Sequence, residues 1–189
     1  MWQKANFTRK EQLRVINGKA IAVLLKHYTV TGATMIFRAD FKPVIFPIPS
    51  FWFHDAWISL LIASISNIAF ISEPMIKYRQ HSDNQLGGVR KTLVRQISEA
   101  FQIDRDGYYK FEVLRYRSAL HRILSISESF NLSESIILME EKIKHLQIRA
   151  SMHKNRLFRI PAILNELIQL RYYRYSRNWG SVAMDLFFR

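Results

Sequence analysis

The stretch of sequence that decides the reading runs from Tyr28 to His81. It holds three spaced elements: YTVTGATMIFR at 28–38, FWFHDAW at 51–57 and EPMIKYRQH at 73–81. The first is rich in Thr, Val, Ile and Phe, the composition of a buried strand, and Gly32 interrupts it. A glycine inside a strand marks a bulge or a place where a ligand approaches the backbone. Pro43, Pro47 and Pro49 then predict an extended loop over 42–50. Asp55 stands where an N-cap or first-turn acid belongs, ahead of a helix AWISLLIASIS. After Asn67, IAFIS and MIKYR predict a second pair of strands, split at Glu73-Pro74. A turn, an acid and a histidine, each at the edge of a buried apolar run, predict an enzyme site built on an α/β sheet.

On the N-terminal side, residues 1–27 predict a polar lead followed by a helix, with NGKAIAVLLKH placing apolar residues at helical spacing after Asn17. After Leu86-Gly87-Gly88 the pattern becomes long, charged and helical. Turn signals fall near Asp104-Arg105-Asp106-Gly107 and Asn131-Leu132-Ser133, and Pro161 opens or interrupts a further helix. The chain closes on RYYRYSRNWGSVAMDLFFR, a basic and aromatic segment. The expected organisation is an α/β part over 1–88 and a helical, basic region over 89–189.

An apolar fraction of 49% over 189 residues is enough for a folded core. The absence of cysteine excludes disulfides, thiolate metal sites and a cysteine nucleophile, and it fits a reducing compartment. No basic-then-apolar leader opens the sequence. The longest apolar run, 56–71, is broken by Ser59, Ser64, Ser66 and Asn67 and falls short of the roughly 20 residues a spanning helix needs. These features predict a soluble or peripheral protein. The net charge of +13 is uneven: ten Lys or Arg lie between Lys142 and Arg189 against Glu166 and Asp185. That bias favours a polyanion as partner, whether nucleic acid, anionic lipid or a phosphorylated substrate.

Asp55 reads first as a helix-start acid, worth about 1 kcal/mol as a cap. Its setting among Phe51, Trp52, Phe53, His54 and Trp57 also suits a carboxylate that accepts a proton. His81 reads first as a surface residue, and second as a metal ligand completed by carboxylates from elsewhere. Asp104-Arg105-Asp106 has the literal form of a diphosphate-metal motif, but the adjacent Gly107 makes a turn the simpler reading. His27, His121, His145 and His153 lack metal spacing. No phosphate-gripping glycine loop, nucleophile elbow or HExxH is found.

The run VTGATMIFRADF…PIP…HDAWISLLIAS…IAFISEPMIKYRQHSDNQLG resembles the second half of the catalytic domain of family 2 glycosyltransferases, and among them the bacterial rhamnosyltransferase-like members that build surface polysaccharides. The resemblance covers most of the chain. It implies a GT-A, Rossmann-like α/β fold and an inverting displacement, in which a carboxylate deprotonates an acceptor hydroxyl that attacks the anomeric carbon of a nucleotide sugar. It implies Asp55 as that base and Thr31, Gly32, Ala33 and Thr34 as the acceptor side of the cleft. His54 and Trp57 frame the base, Arg79 and Gln80 contact substrate, and His81 serves as a metal or diphosphate ligand. The divalent cation, Mg2+ or Mn2+, is expected with the family's N-terminal half. Residues 1–27 are too few for that nucleotide-binding half, so the resemblance implies a C-terminal portion with little activity alone. The implied partners are the nucleotide-sugar donor and a saccharide or lipid-diphosphate-linked acceptor. The Arg-Tyr alternation of RYYRYSR suits the surface of an anionic membrane, or equally a solvated helix face packed on the domain. Two other readings stay open: a catalytically inactive interaction protein, and a basic nucleic-acid-binding module, for which no recognition signature is present.

Overall fold

The structure, a computed structural model, describes residues 7–73, 104–126, 130 and 132–187. Nine helices are seen among them: α1 (Arg9–Ile16), α2 (Ala20–Leu24), α3 (Lys42–Ile45), α4 (His54–Ile65), α5 (Arg105–Leu124), α6 (Ser133–Ala150), α7 (Ile160–Ile168), α8 (Arg171–Tyr175) and α9 (Trp179–Phe187). The described residues contain no strand, which overturns the expected α/β, GT-A architecture. Thr31 and Met35 do have extended backbones, at φ −122°, ψ 124° and φ −100°, ψ 133°. Between them, however, Gly32–Thr34 winds into a 3-10 turn. An extended segment becomes a strand only when a neighbour completes its ladder, and among the described residues no neighbour does so. Val30, Met35, Phe37, Ile68 and Phe70 instead pack individually against the helical core. Their β-favouring side chains answer the demand for a half-buried surface without any pairing. MIKYR lies outside the described residues.

The N-terminal lead is also more ordered than expected. Thr8 and Glu11 form a capping box: the Glu11 amide donates to Thr8 Oγ1 at 3.3 Å, and the Thr8 amide donates to Glu11 Oε2 at 3.0 Å. α1 then stops at Asn17 and Gly18, where Gly18 takes φ +74° in the left-handed region and the Lys19 amide reaches back to Arg14 O. Glu11 also holds the end of α2, through Lys26 at 3.3 Å and His27 at 3.1 Å. Burial opposes ionisation of Glu11, but the bonds from Thr8 and His27 outweigh it and bring its pKa down to about 2. A carboxylate depressed in the fold contributes stability above its ordinary pKa and loses it as pH falls through the folded value. Wild-type protein is therefore expected to lose stability between about pH 4.5 and 2. Glu11→Gln should flatten that part of a chemical-denaturation series.

α3 replaces part of the expected extended loop, because Pro43 sits in its first turn, where a missing amide costs nothing. The Phe46–Pro47 bond is cis. α4 matches the expected helix and is buried along Ala56–Ser64. Its serines do not make it polar. Ser59 Oγ donates to Ala56 O, and Ser64 Oγ donates to Leu60 O at 2.8 Å.

α5 and α6 pack antiparallel: Tyr109 meets Arg149, and Tyr116 meets Lys142. α4 is seated on this pair. Trp52 Nε1 donates to Ser118 Oγ at 3.0 Å, Ser135 Oγ donates to Ser64 O at 2.9 Å, and Arg122 donates to the carbonyls of Pro43, Val44 and Phe46. Residues from both sides of position 88 thus share one apolar core. Pro161 opens α7, and Asp104 caps α5 by accepting from the Gly107 amide at 3.1 Å, so that acid-rich turn is a helix start.

The C-terminal helices are locked on by a buried polar network along one face of α6. His145 lies 2.6 Å from Glu166 and 2.8 Å from Ser176, and Arg171 bridges Glu166 and Glu141 at 2.9 and 2.7 Å. Lys142 donates to Tyr175 O at 2.8 Å, 5.0 Å from the Tyr116 ring centroid. Burial brings the Lys142 pKa down to about 7 and that of His145 down to about 4. In both cases the unfolded chain holds the proton to higher pH than the fold does, so stability rises with pH across each window. The windows run from about 4 to 6.5 for His145 and from about 7 to 10.5 for Lys142. Above about pH 10 buried Tyr109, Tyr116 and Tyr172 reverse the trend, because burial raises their pKa values and only the unfolded chain ionises there. Urea midpoints should accordingly peak on the alkaline side of pH 8, whereas most proteins peak between about 5 and 8. Lys142→Met should raise the midpoint at pH 6 and abolish the climb above pH 7. A wild-type peak at or below pH 7 would contradict the buried-lysine assignment.

Candidate functional site

Two segments 23 residues apart meet at the start of α4. The Gly32 amide donates to Asp55 Oδ2 at 3.1 Å, and the Ala56 amide donates to Asp55 Oδ1 at 2.8 Å. Asp55 is therefore a first-turn acid rather than the N-cap. Phe53 occupies the cap position and makes no side-chain cap bond. The carboxylate is half-buried and fixed by two main-chain donors, and it retains lone pairs for a further proton donor.

Gly32 lies tight against the His54 side chain. A Cβ there would stand 2.4 Å from His54 Nε2, so the turn and the imidazole lie in direct apposition. His54 is exposed and free to swing, so Gly32→Ala is expected to displace the ring and leave the fold intact. A changed His54 ring resonance with an unchanged thermal midpoint would be the signature in NMR and melting experiments. Thr31, Ala33 and Thr34 are exposed around the same turn, which Thr34 Oγ1 closes by donating to Thr31 O at 3.1 Å. Trp57 frames the site from inside: it is buried, and its indole N–H is committed to Ile45 O at 2.7 Å.

An aromatic cluster lies next to this turn, gathered by Arg115 of α5. The guanidinium carbon sits 4.3 Å from the Trp52 ring centroid, and 5.5, 5.8 and 5.9 Å from those of Tyr28, Phe53 and Phe111. Its Nη1 pairs with Glu112 at 2.6 Å, while Nε and Nη2 have no hydrogen-bond partner among the described residues. Tyr28, Phe53 and Phe111 are all partly open to solvent. Burial first, then the Glu112 charge, push the Tyr28 hydroxyl up to about 12, so it stays a neutral donor at any ordinary pH. Sequence reading missed Arg115, which lies on a helix 60 residues from Asp55, and no local spacing connects the two.

Arg79, Gln80 and His81 lie outside the described residues. Among the described residues no group of three His, Asp or Glu side chains is arranged to hold a metal ion. The described residues supply no such group, and His81, the implied ligand, lies outside them. Two surface hollows, one along Val15–Gly18 and Asn67–Phe70 and one between α2 and the start of α6, do not include Asp55. Among the described residues no helix is long and apolar enough to cross a membrane. Within RYYRYSR, Arg171, Tyr172, Tyr175 and Ser176 are buried in the C-terminal network, and Tyr173, Arg174 and Arg177 are exposed. Compared with known family models, with curated proteins and with solved structures, the chain matches none of them.

Proposed function

We propose that this chain carries the acceptor side and the proton-accepting carboxylate of an inverting glycosyl transfer from a nucleotide sugar to a saccharide or lipid-linked acceptor. The observation that supports it is the bond from the Gly32 amide to Asp55, which joins the TGAT turn to the HDAW helix start at one half-buried spot. In the proposed step Asp55 takes the proton of an acceptor hydroxyl. The hydroxyl oxygen attacks the anomeric carbon from the face opposite the leaving group, and the C–O bond to the nucleoside diphosphate breaks with its electron pair on the diphosphate. Asp55 needs both properties the fold supplies: a fixed orientation from two amides, and access for the acceptor. The exposed rings of Tyr28, Phe53 and Phe111 add apolar faces on which a sugar ring can lie. The proposal rests on this local geometry, without a sheet and without a step through a metal, and it leaves nucleotide binding to other residues.

The test is transfer of labelled sugar from a panel of nucleotide sugars to endogenous lipid-linked acceptors, in membranes of cells that make the protein. Label incorporation should depend on the gene and return with the wild-type copy. Equal incorporation with and without the gene across the panel would refute the reading.

A further inference from the structure

The structure assigns a second surface, on α7 and the turn before it, as a docking face for an anionic lipid bilayer. Leu157, Phe158, Ile160, Leu164 and Ile168 are all solvent-exposed, with exposures of 72% for Leu157 and 80% for Ile168. In α7, Ile160, Leu164 and Ile168 recur at i, i+4 and i+8, a single stripe along one side of the helix. The other side is satisfied without them: Ile163 enters the small C-terminal core, and Glu166 is fully buried against His145 and Arg171. The apolar stripe therefore lies outside both hydrophobic cores of the described residues.

Charge selects the occupant. Glu166 and Asp185 are the two acids between 151 and 187, and both are fully buried in internal ion pairs. Every exposed charge on this segment is thus positive, at Lys154, Arg156, Arg174 and Arg177. Lys154 and Arg156 directly precede the exposed Leu157 and Phe158 in the sequence. A second copy of the chain is disfavoured, because a two-fold contact would set these cations against their own images. A surface that presents negative charge over an apolar interior satisfies both features at once. A helix of this kind lies in the plane of the headgroups with its apolar side chains sunk just below them. RYYRYSR, four of whose residues are buried, contributes only Tyr173, Arg174 and Arg177 to this surface.

The inference is independent of the transfer reading, and the two are tested on different faces. Purified full-length chain is mixed with sucrose-loaded vesicles of phosphatidylcholine containing 30% phosphatidylglycerol, roughly the anionic content that attracts basic segments, and sedimented. Binding should weaken as salt is raised, and should be about ten-fold or more weaker to pure phosphatidylcholine. Leu164→Glu with Ile168→Glu should cut binding to anionic vesicles by a similar factor while leaving the circular dichroism spectrum and melting point unchanged. Leu13→Glu, at an exposed apolar position on α1, and Asp55→Asn should both bind as wild type. Equal binding to neutral vesicles, unaltered binding by the double variant, or a dimer in sedimentation equilibrium that the double variant dissolves would each overturn the proposal.

Discussion

Asp185→Asn is expected to destabilise the chain by about 3–5 kcal/mol, the cost of leaving a buried cation without its partner. Asp185 is fully buried and collects four donors: Arg149 Nε at 2.6 Å, Arg149 Nη2 at 3.2 Å, Tyr109 Oη at 3.1 Å and Tyr172 Oη at 2.6 Å. Those donors come from α5, α6 and α8, so a single carboxylate ties α9 to the rest. The amide keeps the shape but offers one accepting oxygen and no charge. Arg149 would then hold its charge in a buried site shared with Ser176 and Tyr109, with Asp185 no longer opposing it. For a chain of this length the loss corresponds to a fall in melting temperature on the order of 10 °C. Combining Arg149→Met with Asp185→Leu should recover much of it, because replacing a buried pair by apolar groups of similar size is often neutral. A double variant no more stable than Asp185→Asn would show that the network contributes more than charge pairing.

Some of this organisation is legible in the sequence. The helix after Asp55 is written in an unbroken apolar run, and its serines are harmless because each can bond back to its own helix. The starts of α5 and α7 are written in Asp104 and Pro161. The capping box of Thr8 and Glu11 is equally local, and it marks a helix where a polar lead is the simpler reading. The sheet is where local reading fails. Residues 28–37 have strand composition, yet whether they pair depends on a neighbour that composition cannot supply, and here the helical core takes their side chains. Glu166 and Asp185 carried a signal as well. Two acids alone in a strongly basic stretch are candidates for buried partners, and each proves to be the centre of an ion-pair cluster. At the site, the pairing of Gly32 with Asp55 is foreshadowed by two motifs in fixed order. Arg115, on α5, is not, since only the packing of α5 against Trp52 brings it there.

The second large effect is expected at Asp55. Replacing it with asparagine keeps an oxygen for the Gly32 or Ala56 amide and removes the ability to accept a proton. Loss of a positioned general base costs typically a factor of about 10²–10⁴ in rate. The loss should fall on kcat, with KM for the acceptor little changed, because the contacts that hold the acceptor are retained. Asp55→Glu should recover only part of the activity, since its longer arm no longer matches the two amides that orient the carboxylate.

The most direct measurement is therefore the steady-state rate of sugar transfer by Asp55→Asn protein, with kcat and acceptor KM determined together. A kcat lowered by two or more orders of magnitude at nearly constant KM is the predicted result. Turnover like that of the wild type would contradict Asp55 as the base, and with it the reading of the Gly32–Asp55 junction as a site of transfer.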